Sequence, residues 1–156
     1  MKNIVLIILL TFFSCSLYQD NDEPNIFFQF SDFEILELGK SFSDMIISDV
    51  QSAIYLSDYN NNSLLKINTQ SSLLVEKHAI VGSHPIALDI NSDESIIAIA
   101  HEGESSILIL NSQDLEILNS FSVSLMNMND LAFINDTTLI ISSKTDPSCI
   151  TLNLIS

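Results

Sequence analysis

Tryptophan is absent from this 156-residue chain, glycine and proline occur three times each, and cysteine twice. Three glycines cannot build a phosphate cradle, and no G-x-G-x-x-G, Walker or G-x-S-x-G pattern is present. No cofactor is expected. Cys15 and Cys149 are too few for a disulfide framework; Cys149, in mid-strand, is expected to be a buried small hydrophobe. Basic residues are equally scarce, five Lys and Arg against twenty Asp and Glu, for a formal charge of −15. Nucleic-acid binding, which neutralises phosphates with cations, is excluded, as is electrostatic adhesion to anionic lipid. Beyond residue 30 no 3.6-residue apolar pattern persists, so no helices are predicted there.

The N-terminus carries an address. Lys2 precedes Ile4–Phe13, a ten-residue run that is apolar but for Thr11. That is half the ~20 residues a membrane-spanning helix needs and matches a signal-peptide core. The run ends Phe12-Phe13-Ser14-Cys15, which resembles a bacterial lipobox except for Phe12 at the usual Leu. The resemblance implies that residues 1–14 are a signal peptide and that Cys15 is acylated; ordinary secretion and an uncleaved anchor are the alternatives. Cleavage removes Lys2 alone among charged residues, taking the charge from −15 to about −16. Residues 15–26 are polar and acidic, the composition of a flexible tether. The expected location is the bacterial cell envelope, attached to the membrane through the lipid anchor, on the periplasmic or the outer surface.

The rest of the chain is repetitive. Asn68, Asn111 and Asn153 each close a strand-like run, at intervals of 43 and 42 residues (68 to 111 to 153). Ahead of them lie Ala53–Ser57, Ile96–Ala100 and Thr138–Ser142, and before those Asp44–Ile47, Ala87–Ile90 and Leu131–Ile134. A period of ~40–45 residues holding about four short β-runs, a to d in chain order, is that of a propeller blade.

Tyr55-Leu56-Ser57-Asp58 through Asn62-Ser63-Leu64-Leu65-Lys66-Ile67-Asn68 resembles the YVTN-type β-propeller repeat. Gly82-Ser83-His84-Pro85 is similar to its G-x-x-P blade opening, but Ser92-Asp93-Glu94 stands where that family has P-D-G. The resemblance implies an all-β fold: a partial β-propeller over residues 27–156, with about three four-stranded antiparallel blades, open rather than closed. The blades fall at about 44–80, 86–123 and 130–155, preceded by an outer strand over 33–38. Such a disc leaves two terminal faces uncovered, whereas repeat arrays normally cap their ends with polar surface. Either the chain is the N-terminal part of a longer propeller, or it self-associates through its unpaired blades.

Blade topology places the b–c turns and the d–a crossings on one face of the disc. Asp58, Asn60, His84, His101 and Glu102 are the chemically useful residues there, and they are the candidate ligand-face set. Asp58–Asn62 begins like a calcium loop, but Ser63 and Thr69 stand where Gly and the bidentate Glu belong. No H-x-H or H-x3-H spacing supports a metal either, so no metal and no catalytic residue is assigned. The expected function is a non-enzymatic binding or protein-interaction scaffold for an unknown protein or small-molecule ligand. A propeller-type lyase, hydrolase or dehydrogenase lacking its catalytic part is the alternative from another class, and a non-functional truncated gene product is a third.

Overall fold

The computed structural model describes residues 38, 40–70 and 74–155. The signal segment, Cys15, the tether and all but the last residue of the strand expected over 33–38 lie outside the described residues. Every described strand belongs to the unit Leu36–Ser156.

Eleven strands form three antiparallel meanders among the described residues. The first sheet is β1 (Phe42–Ser48), β2 (Ala53–Asp58), β3 (Ser63–Asn68) and β4 (Leu74–Ile80). The second is β5 (Pro85–Ile90), β6 (Ile96–His101), β7 (Ser106–Asn111) and β8 (Ile117–Ser122). The third has three strands, β9 (Met128–Asn135), β10 (Thr138–Ser143) and β11 (Cys149–Asn153). Each strand pairs only with its sequence neighbours, as short β-runs joined by tight turns must. β1 packs against β5 and β5 against β9, so the sheets stack in chain order. The all-β class and the open three-blade architecture therefore stand.

The core lies between sheets. Ala53, Tyr55 and Leu64 of the first sheet meet Leu88, Ile97, Ile99 and Leu110 of the second. Ala87, Ala98, Ala100, Ile107 and Ile109 of the second meet Leu131, Leu139 and Ile141 of the third. Polar links reinforce each contact. Asp44 Oδ2 accepts the Leu88 N–H at 2.7 Å, and Asp89 Oδ2 accepts that of Phe133 at 2.6 Å. Lys66, almost wholly buried, donates to Gln113 O at 2.9 Å across the first interface.

Scarce glycine shows in the turns. Among the described residues, six non-glycines adopt left-handed backbone, Ser52, Asn62, His84, Glu94, Leu115 and Asn127, against the two glycines Gly82 and Gly103. Glu94 occupies the position of the missing turn glycine with φ 57°. It offsets that strain through its carboxylate, which accepts Ser48 Oγ at 2.6 Å and Val50 N at 2.8 Å from the preceding blade. The Ser48 hydroxyl first, then the Val50 N–H, hold the Glu94 carboxyl below its ordinary 4.5. A depressed folded value means stability that is complete above that pH and lost as the pH falls through the folded value. Glu94→Gly should therefore lower the melting temperature at neutral pH although it relieves the backbone. The gap to wild type should narrow in acid, as thermal unfolding across pH will show.

Two expectations are corrected. Strand a of the third blade is displaced by one residue: Asp130, not Leu131, stands opposite Ser142, as Asp44 stands opposite Ser57 and Ala87 opposite Ala100. A one-residue slip exchanges the two faces of a strand, and an alignment of apolar runs cannot sense it. Cys149 is exposed, not buried. It pairs with Ser142 as Leu64 pairs with Ser57 and Ile107 with Ala100. Leu64 and Ile107 are fully covered by the next blade, and among the described residues no blade follows β11.

Candidate interaction face

The last residue of each b strand clasps the crossing that leads into its own blade. Asp58 Oδ2 lies 2.9 Å from Lys40 Nζ, His101 Nε2 2.8 Å from Val81 O, and Ser143 Oγ donates to Met126 O at 2.9 Å. A carbonyl can only accept, so His101 Nε2 is the donor in this bond; its buried Nδ1 has no partner among the described residues. Asp58 is also fully buried, and it accepts the Asn61 N–H at 3.1 Å to close the β2–β3 turn. Burial alone would raise its carboxyl, but the bonds from Lys40 and Asn61 outweigh this and lower it below the ordinary value of 3.8.

The next repeat position forms a row across the three b–c turns. Tyr59, Glu102 and Lys144 are separated by 43 and 42 residues, like the closing asparagines. The Tyr59 hydroxyl donates to Glu102 Oε2, and Lys144 Nζ lies 3.2 Å from Glu102 Oε1. The bond from Tyr59 first, then Lys144, lowers the Glu102 carboxyl, while Glu102 raises the Tyr59 phenol. His84 stacks obliquely on Tyr59, with ring centroids 4.5 Å apart and planes at 35°. Its own N–H is held by Asn62 Oδ1 at 2.9 Å.

The five sequence candidates thus separate. Asp58 and His101 are buried turn and crossing braces. His84 and Asn60 are exposed, and Glu102 stands half-buried at the centre of the row. Tyr59 and Lys144, which complete that row, were not among the five. Their signal was the shared repeat position, which residue chemistry alone does not reveal. Among the described residues no group of three His, Cys, Asp or Glu side chains could hold a metal.

No protein-family model matches the chain, and no curated protein matches it in sequence. Solved structures match it in fold. Kuenenia stuttgartiensis hydrazine synthase superposes with a TM-score of 0.65 at 11% identity, over 78% of this chain and 36% of that one. The β-propeller domain of Cps50 (Swd1) from Myceliophteria thermophila gives 0.63 at 7% identity, over 75% and 37%. Sqt1 of Saccharomyces cerevisiae gives 0.63 at 14%, over 76% and 33%. The chain spans about a third of the length of each, and at such identities the likeness is one of fold. With its three successive sheets packed face to face, the chain is a β-propeller repeat protein, and its described residues form three blades that do not close into a ring.

Proposed function

We propose that the protein is a non-enzymatic interaction scaffold of YVTN type, held at the bacterial cell envelope by acylation of Cys15, whose binding surface is the b–c face. The observation that carries this reading is the Tyr59–Glu102–Lys144 row. One repeat position supplies an aromatic ring, a carboxylate and an ammonium, joined across three blades. Both Glu102 oxygens are committed to these neighbours, so the carboxylate is a poor proton shuttle and a good fixed recognition element. With His84 tilted against Tyr59, the row offers an aromatic pair beside paired charges, a composition suited to protein contacts. Protein-interaction scaffolding is a common use of propellers, although the fold itself does not dictate a task.

The test is comparative capture from living cells. The full chain and a Tyr59→Ala/Glu102→Ala/Lys144→Ala variant are expressed, cross-linked and recovered from the envelope fraction. Partner recovery should fall several-fold in the variant while its fold, read by circular dichroism, is retained. Equal recovery would refute the b–c face. In the same cultures Cys15→Ala should move the protein out of the membrane pellet, and a protein that stays there unlipidated would refute the anchor.

A further inference from the structure

The outer side of the third blade repeats the geometry with which the first blade holds the second. In the first blade, Asp44 Oδ1 accepts the Met45 N–H at 2.8 Å and Ser57 Oγ donates to Asp44 O at 3.2 Å. Asp44 Oδ2 then reaches across to the next blade at Leu88 N. In the third blade, Asp130 Oδ1 accepts the Leu131 N–H at 2.9 Å and Ser142 Oγ donates to Asp130 O at 3.3 Å. Asp130 and Ser142 face each other in register as Asp44 and Ser57 do. The second oxygen of Asp130 accepts no hydrogen bond among the described residues. Beside it, Ala132, Ile140 and Cys149 line a shallow open groove.

The complementary half lies on the first blade. β1 is the edge strand of its sheet, so alternate backbone N–H groups point away from β2. Met45 and Ile47 are 55% and 61% exposed, at the register positions that Leu88 and Ile90 use to pack on the first blade. One chain therefore holds both halves of a contact like the one between its first and second blades.

We propose that a second copy of this chain docks head-to-tail, the β1 side of one copy seated on the Asp130–Ile140–Cys149 face of the other. The contact is heterologous, so it must close into a ring or propagate. The described blades of two copies number six, within the ~4–8 of known propellers, and those of three copies would exceed that range. Asp130 would face the backbone of the partner's β1 at the Met45–Ile47 edge, as Asp44 faces that of β5. Cys149 would become covered, as Leu64 and Ile107 already are.

Sedimentation velocity and native mass spectrometry of the full chain provide the test. The wild type should be a two-copy species, and Ile140→Arg and Ile47→Arg should each be monomeric. Both positions are exposed, so both variants should retain the wild-type circular dichroism. Mixing the two variants should restore a two-copy species, because one intact interface remains between them. Alkylation of Cys149 in the wild type, mapped by peptide mass, should slow about tenfold as concentration rises through the association range. A folded monomer at tens of micromolar, a dimer indifferent to both substitutions, or a mixture that stays monomeric would each overturn the proposal. Association driven by the apolar residues 4–13 would show as such indifference.

Discussion

Replacing Tyr55 by alanine is expected to remove about 3–5 kcal/mol of stability from ring burial alone. Its side chain is wholly buried between the first and second blades, where the hydroxyl donates to Ser112 O at 2.7 Å. Truncation also orphans that buried carbonyl, adding about 1–3 kcal/mol. Against a typical domain stability of about 5–15 kcal/mol, the variant should be largely unfolded at growth temperature. Tyr55→Phe keeps the ring but orphans the same carbonyl, and should lose only that contribution of about 1–3 kcal/mol; urea titration of the three proteins separates the terms. The same residue predicts an alkaline limit. Burial, partly offset by the Ser112 bond, raises the phenol from 10.0 to about 12. The folded state then holds a proton that the unfolded state releases, so stability is full below pH 10 and falls as the pH rises toward 12. Tyr55→Phe should flatten that decline.

Gly82→Ala should cost far more stability than Gly103→Ala, the substitution at the other described glycine. Gly82 has φ +110°, a conformation closed to residues with a side chain, which costs about 1–3 kcal/mol to impose. A Cβ there would also lie 3.0 Å from His101 Nε2, the atom that clasps Val81 O. The ring would be driven off the crossing, leaving the Val81 carbonyl unpaired. The melting temperature should fall, and amide exchange should rise first at Val81–His84, the join between the first and second blades. By contrast, Gly103→Ala meets no atom within 4 Å and strains only a surface turn at φ +75°. A Gly82→Ala protein as stable as the Gly103→Ala one would contradict a close fit of His101 against the crossing.

Tyr55 with Ser112, and Gly82 with His101, are pairs of residues distant in the chain, and that separation marks what could be read from the chain unaided. The strands of the first two blades were legible because each is a short apolar run stopped by Asn, Asp, Ser or Gly. The closing asparagines at 68, 111 and 153 exposed the period. The common face of the b–c turns and crossings was legible too, since an antiparallel meander permits no other arrangement. The candidate site was read less well. Asp58 and His101 carry attractive chemistry, yet both are spent bracing backbone, because the last position of each b strand points at the incoming crossing. Glu102 gains its place from Tyr59 and Lys144, each on another blade.

Local sequence by itself determined the number, order and antiparallel pairing of these strands, because β-runs of five to eight residues joined by tight turns can pair only with their neighbours. It also determined that each strand has two chemically distinct sides. Which side is covered was decided only by the stacking of one sheet on the next. That stacking buried Leu64 and Ile107 and left Cys149 open. It also turned Glu94 into a tie between blades and brought Asp44 to the backbone of β5. The physical reason is that alternation along a strand is a local property, whereas burial belongs to a surface supplied by residues some forty positions away.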